Sequence, residues 1–86
     1  MKLTRVAAVW CVSCLIMKSR VGEIIKENSY DIEIEELDFD EEESENMLKE
    51  KGIATDILPI YFREDGKYII GEKSKAEFIA FIEGDL

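Results

Sequence analysis

A nearly continuous apolar run at residues 3–9 leads directly into two cysteines, Cys11 and Cys14, and this junction most constrains the fold. Only two residues of the run are polar, a pattern typical of a strand covered on both faces, so we expect it at the centre of a sheet. After the cysteines, apolar residues recur at helical spacing along residues 12–28, with charged residues opposite. The chain therefore begins with a buried strand and an amphipathic helix, and both thiols lie where the helix starts.

The next stretch predicts a second strand and a second helix. Apolar and acidic residues alternate over residues 30–35, which indicates a half-buried strand. A right-handed crossover would make it parallel to the first strand. Asp40 and Glu43 predict the start of a helix at about residues 41–51, and Gly52 can end it. Because this helix has a narrow apolar stripe, we expect it to be the most weakly packed.

The last third of the chain predicts a hairpin and a final helix. Residues 57–63 are strand-like, an Asp-Gly turn follows, and residues 67–70 return as an antiparallel partner. Ser74 and Glu77 form a capping box ahead of apolar residues at helical spacing. The predicted order is β-α-β-α-β-β-α, an α/β fold.

Length and charge restrict the function classes. The 86 residues allow one small domain, residues 1–86. A net charge of −9 argues against nucleic acid and acidic membrane surfaces as partners. Ten acids fall within residues 31–45, which form either a solvated face or a docking surface for basic partners. This acidic stretch lacks the turn glycine of a calcium loop, so we assign no metal to it.

Basic residues before the apolar segment 6–17 raise the alternative of a secretory signal. The segment is too short to span a bilayer, and residues 19–21 continue the helical pattern instead of forming a cleavage site. Cleavage would also remove the expected central strand. We therefore expect a cytoplasmic, reducing location.

Two cysteines three positions apart can form at most one intramolecular bridge, and it would close a loop too short to add much stability. The pair is better suited to redox chemistry or to metal binding than to a structural role. Near a βαβ pattern, this spacing favours redox chemistry.

The element order and three local motifs resemble the thioredoxin superfamily in its shortest, glutaredoxin-sized form. The motifs are Trp-Cys-Val-Ser-Cys at residues 10–14, Ile-Leu-Pro at residues 57–59, and Gly71 ahead of the last helix. A lone Cys-x-x-Cys is weak evidence, but its position between strand and helix, with the later proline, is specific. The resemblance covers nearly the whole chain and implies a minimal thioredoxin fold, a four-stranded mixed sheet with helices on both faces.

The resemblance implies a thiol-disulfide oxidoreductase that reduces protein disulfides. Cys11 would be the nucleophile, because a helix N-terminus favours a thiolate over a thiol. Cys14, one turn later and more buried, would attack the mixed disulfide and release the reduced substrate. The redox-active Cys11–Cys14 disulfide would be the only redox group, with no organic cofactor and no metal. A reductase or another dithiol donor would recharge it, and we expect a monomer.

Four further residues acquire roles by the same resemblance. Pro59 would be cis and lie against the dithiol, and Leu58 would offer backbone groups to an extended substrate. Trp10 would lie at the rim of the site, and Gly71 would allow a close approach of the substrate backbone. The alternatives are that Pro59 begins an edge strand, that Trp10 is merely partly buried, and that Gly71 forms an ordinary turn.

The sequence also departs from the thioredoxin pattern. Where thioredoxins usually have a buried aspartate and its lysine partner, this chain has Arg5 and Glu36. We hypothesise an ion pair of exchanged sign beneath the dithiol; the alternative is two side chains extended to the surface. The dipeptide between the cysteines is Val-Ser, and no histidine is present, which favours a reductant. Residues that would hold glutathione are not evident, so dependence on it is disfavoured.

Two other functions stay open at this point. The chain could be a binding module that kept the fold without turnover and uses its acidic face and groove to hold a partner. It could also carry a soft metal through its two thiols. Because zinc usually takes four ligands, that function needs a dimer or a partner.

Overall fold

The order of strands and helices agrees with the prediction. The computed structural model describes residues 1–84. Its elements are β1 (Lys2–Ala7), α1 (Val12–Asn28), β2 (Glu33–Asp38), α2 (Glu42–Glu50), β3 (Ile60–Arg63), β4 (Tyr68–Ile70) and α3 (Lys75–Glu83). None of the helices in this described part is long and apolar enough to cross a membrane.

The four strands form one mixed sheet in the order β2-β1-β3-β4. Strand β1 pairs parallel to β2 and antiparallel to β3, and β3 pairs antiparallel to β4. The central position expected for the first apolar run is therefore confirmed, as is the parallel pairing of the second strand. The strand ends at Ala7, however, and Val9 is 88% exposed. The apolar character of Val9 thus belongs to the surface beside the cysteines and not to the core.

Two apolar clusters lie on opposite faces of the sheet, because alternate residues of a strand point to opposite sides. On one face, Leu3 packs with residues of α1 and α3, including Met17 and Phe78. On the other face, Val6 packs with Leu48 of α2. Helices therefore cover both faces, as expected, and the first and last helices share one of them.

Helix α1 buries the stripe that its sequence pattern predicts. The buried residues are Cys14, Met17, Val21 and Ile24. Cys11 is the N-cap residue, with an extended backbone, so the first thiol lies just outside the helix and the second lies within its first turn. The fold thereby holds both sulfurs at the end of β1.

Helix α2 starts differently from the prediction. Its N-cap residue is Glu41, which forms no side-chain capping hydrogen bond, and Asp40 does not cap the helix. The carboxylate of Asp40 instead accepts a hydrogen bond from the indole of Trp10. Only Ser44 and Leu48 of this helix are buried, which confirms the weak packing.

Two strands begin later than their patterns predict. Strand β2 starts at Glu33, the partner of Lys2, so Tyr30 precedes the strand and packs onto the apolar cluster without ladder hydrogen bonds. Strand β3 starts at Ile60, directly after Pro59, because proline has no N–H to give to a ladder. The third strand is not an edge strand, since it lies between β1 and β4.

The last helix begins as predicted. Ser74 Oγ accepts a hydrogen bond from the Glu77 N–H at 3.2 Å, and Glu77 Oε1 accepts one from the Ser74 N–H at 3.2 Å. Both halves of the capping box are therefore present.

Candidate functional site

The sulfur of Cys11 lies at the N-terminus of α1, where it meets a backbone donor. The N–H of Cys14 donates a hydrogen bond to Cys11 Sγ at 3.1 Å. This is a side-chain cap formed by a sulfur, and it directs an otherwise unpaired amide of the first turn at the thiol. A negative charge on Cys11 would therefore meet a hydrogen-bond donor and the positive end of the helix dipole.

Cys14 is the more enclosed of the two thiols. It is 4% exposed, against 9% for Cys11, and both are free thiols. The pKa of Cys14 is raised from 9.0 to about 11, mainly by burial and also by the hydrogen bond with Cys11, although the Ala8 backbone and the charge of Arg5 act in the opposite direction. Cys14 is therefore almost entirely a thiol at neutral pH.

Leu58 packs in the same apolar cluster as Cys11 and Cys14, and the peptide bond between Leu58 and Pro59 is cis. The Cys11 thiol lies 3.9 Å from the carbonyl oxygen of Leu58. Leu58 and Pro59 are both buried, and the Pro59 carbonyl accepts a hydrogen bond from the Gly71 N–H at 2.8 Å. The fold thus brings residues nearly fifty positions apart in the sequence together at the first sulfur.

Gly71 has a backbone φ of +88°, a conformation that residues with a Cβ rarely adopt. A Cβ at this position would lie 3.3 Å from Cγ2 of Ile57, a tight contact. Its conformation and its neighbour therefore already require glycine here, independently of any substrate.

Trp10 lies at the surface beside the cysteines and is 57% exposed. Its indole N–H donates a hydrogen bond to Asp40 Oδ2 at 2.8 Å, and its ring meets that of Phe39 edge-on at 6.3 Å. These two contacts orient the indole while leaving much of the ring in solvent. Neither contact follows from the sequence pattern, in which Asp40 indicates a helix start instead.

Exposed apolar side chains flank the site along the chain. Val9 and Val12 lie on either side of Trp10 and Cys11, and Ile57 precedes Leu58. An apolar surface around a thiol suits contact with a protein chain better than contact with a small polar molecule. The sequence pattern predicts Val9 and Ile57 as strand residues and does not distinguish them from core residues.

Arg5 and Glu36 form an ion pair beneath the dithiol, and Arg5 has a second partner in Tyr61. Arg5 is 5% exposed, and its Nε donates a hydrogen bond to the Tyr61 hydroxyl at 2.8 Å. The Glu36 side chain is 53% exposed, so the pair lies at the boundary of the interior. Lys18 approaches the same carboxylate at 3.9 Å. The sequence pattern does not indicate Tyr61 as a partner of Arg5. The two residues lie opposite each other because β3 pairs with β1.

Arg5 and Glu36 also line a pocket of about 400 Å³. Arg5, Cys14 and Lys18 contribute to its walls, together with Glu36 and acidic residues at the start of α2. The second cysteine and the Arg5–Glu36 ion pair therefore line the same pocket.

No family model and no curated protein matches the sequence. Solved structures do match the fold. Thioredoxin-2 of the malaria parasite superposes with a TM-score of 0.70 at 18% identity, over 96% of this chain and 81% of that one. Thioredoxin O2 of Arabidopsis thaliana gives 0.65 at 16% identity, over 96% and 72%.

Mitochondrial thioredoxin 3 of Saccharomyces cerevisiae gives a TM-score of 0.69 at 25% identity, over 99% of this chain and 77% of that one. These similarities agree with the mixed four-stranded sheet and its three helices. The chain has the thioredoxin fold in a minimal form, with Cys11 and Cys14 close together at the start of its first helix.

Proposed function

We propose that this protein is a thiol-disulfide oxidoreductase that reduces disulfides in protein partners. The observation that carries the proposal is the hydrogen bond from the Cys14 N–H to Cys11 Sγ, at a helix N-terminus beside Leu58 and Pro59. This arrangement gives one sulfur a backbone N–H donor and places a second sulfur within one helical turn.

The reaction needs two exchanges. In the first, the Cys11 thiolate attacks one sulfur of the substrate disulfide and forms a mixed disulfide, and the other substrate sulfur leaves as a thiolate. In the second, the Cys14 sulfur attacks Cys11, the Cys11–substrate bond breaks, and the substrate leaves fully reduced. The protein ends with a Cys11–Cys14 disulfide, which a reductase or another dithiol donor must reduce.

The surface around Cys11 supports a protein as substrate. Trp10, Val9 and Val12 offer exposed apolar area next to Cys11 in the chain, and the Leu58 carbonyl oxygen lies 3.9 Å from its sulfur. We propose that these residues hold an extended substrate segment and that Gly71 allows its backbone to approach. The function needs no organic cofactor and no metal, and it fits a monomer in a reducing, cytoplasmic location.

A disulfide-reduction assay on insulin, with a chemical dithiol as electron donor, tests this function. We expect turnover by the natural protein and none by Cys11→Ser, which lacks the attacking sulfur. Cys14→Ser retains that sulfur but lacks the resolving one, so it should accumulate a mixed disulfide that mass spectrometry detects. Equal turnover by the natural protein and Cys11→Ser would contradict the proposal.

A further inference from the structure

Arg5 is a buried cation whose position is held from two sides. Its Nε binds the Tyr61 hydroxyl from β3, and its Nη1 pairs with Glu36 from β2. Both partners lie opposite Arg5 in the sheet register. The guanidinium carbon lies 5.3 Å from the centre of the Tyr61 ring. These contacts hold the guanidinium in the wall of the pocket that Cys14 also lines.

We propose that Arg5 is a positioning residue that stabilises the Cys14 thiolate during release of the substrate, and that the charge of Glu36 limits this stabilisation. The inference rests on the proposed reductase function. It concerns only the second exchange, in which Cys14 is the attacking group.

That exchange begins with Cys11 bonded to the substrate sulfur and with Cys14 as a thiol. Cys14 loses its proton to solvent, and its sulfur forms a bond to the sulfur of Cys11. The Cys11–substrate bond breaks, its electron pair goes to the substrate sulfur, and that sulfur takes a proton from solvent. A guanidinium cannot accept the proton of Cys14, because it stays protonated in proteins. Arg5 can act only through its charge.

Charged and titratable groups face Cys14 from every element packed around it. They are Arg5 from β1, Glu36 and Asp38 from β2, Tyr61 from β3, Cys11 and Lys18 from α1, and Glu41 and Glu43 from α2. Of the charged side chains in this described set, only Arg5 is buried. Solvent screens exposed charges much more strongly than buried ones. Arg5 is therefore the charged side chain of this pocket that solvent screens least from Cys14.

In the mixed disulfide, fewer groups oppose the effect of Arg5 on the pKa of Cys14 than in the free dithiol. In the free dithiol, Cys11 raises the pKa of Cys14 through a hydrogen bond and its charge, while Arg5 lowers it. Once the Cys11 sulfur is bonded to substrate, it has no thiol and no charge. The remaining influences on the pKa of Cys14 are then burial, which raises it, and the Ala8 backbone and the charge of Arg5, which lower it.

Replacement of the two members of the ion pair should change the pKa of Cys14 in opposite directions. Arg5→Met removes the cation and should raise the pKa of Cys14, whereas Glu36→Gln removes the opposing carboxylate and should lower it. A higher pKa reduces the thiolate fraction tenfold per unit, but the thiolate becomes more nucleophilic. The net change in rate below the pKa is therefore about threefold per unit. A purely structural role for the pair would make both variants slower.

The test follows the reduced protein with the aromatic disulfide reagent dithiobis-nitrobenzoate in a stopped-flow instrument, at several pH values. Cys11 releases one coloured thiol on forming the mixed disulfide, and Cys14 releases the second. We expect Arg5→Met to slow the second phase about threefold or more and Glu36→Gln to accelerate it. The first phase should change less in both. Arg5→Lys should recover part of the rate, and Lys18→Met, an exposed cation of the same pocket, should change it less than Arg5→Met.

A titration of the Cys14 Cβ carbon by NMR, in the Cys11→Ser background, should show the same opposite pKa shifts. An unchanged second phase in Arg5→Met, or a slower second phase in Glu36→Gln, would overturn the proposal. If Arg5→Met does not fold, Glu36→Gln still tests the proposal, because the Glu36 side chain is half exposed. Failure of the reductase function itself is distinct: the natural protein would then release no second thiol.

Discussion

The backbone N–H of Cys14 donates a hydrogen bond to the sulfur of Cys11 at 3.1 Å, although Cys14 itself is the more buried residue. One residue thus supplies its amide to the first sulfur and keeps its own sulfur away from solvent. The two thiols are chemically unequal for this reason.

Selective alkylation should reveal the inequality. The pKa of Cys14 is raised from 9.0 to about 11, so at every pH below this value less Cys14 is thiolate than in the unfolded chain. At neutral pH the thiolate fraction is about one in ten thousand. We expect limiting iodoacetamide to label Cys11 at neutral pH, with labelling of Cys14 rising about tenfold per pH unit up to about pH 11.

Peptide mapping by mass spectrometry measures both sites, and Cys11→Ser provides the control in which only Cys14 can react. Comparable labelling of the two cysteines in the folded protein at neutral pH would contradict the raised pKa.

The bond between Trp10 and Asp40 should control how the site meets a protein substrate. Asp40→Ala removes the acceptor of the indole N–H, so the indole should become less ordered. We expect KM for a protein disulfide to rise while kcat changes little, because neither sulfur is touched. Trp10 is the only tryptophan, so its fluorescence reports the change directly. Glu50→Ala, an exposed acid on α2, is the matched control. The same loss of affinity in the control would assign the effect to net charge.

Gly71→Ala should destabilise the protein through two separable causes. The positive φ costs about 1–2 kcal/mol for a residue with a Cβ, and the contact with Ile57 at 3.3 Å adds to it. Gly52→Ala meets only the first cause, since its φ is +70° and no atom of residues 1–84 is found within 4 Å of the added Cβ. Urea unfolding of both variants should show the larger loss for Gly71→Ala. Equal losses would mean that the Ile57 contact relaxes freely.

Gly22→Ala should stabilise the protein. Gly22 lies in the interior of α1 on its exposed side, and in the described part of the chain an added Cβ has no neighbour within 4 Å beyond the backbone of its own helix. Alanine favours the helix by about 0.5–1 kcal/mol over glycine. A higher urea midpoint with unchanged disulfide-reduction activity is the expected result. A lower midpoint would show that the helix needs flexibility at this position.

Much of the architecture follows from local patterns. The buried stripe of α1 recurs at helical spacing, and the Ser74–Glu77 capping box is readable from two residues three apart. The central position of β1 follows from its two-sided apolar character. In each case the local pattern and the final packing agree, so short-range information is sufficient.

The wrong predictions concern residues whose role depends on a distant part of the chain. Asp40 could cap α2 or accept a hydrogen bond from Trp10, and the structure has the second. Tyr30 alternates like a strand residue but precedes β2, because register with β1 begins only at Glu33. Such choices depend on where another segment lies.

The order of the elements, the buried first strand and the position of two thiols at a helix start follow from local patterns, because periodicity and capping act over a few residues. The surroundings of those thiols depend instead on contacts between distant segments. Leu58 reaches Cys11, and Tyr61 and Glu36 reach Arg5, through sheet pairing between distant segments. Burial then raises the pKa of Cys14, since the pKa of a thiol depends on the solvent and the charges around it.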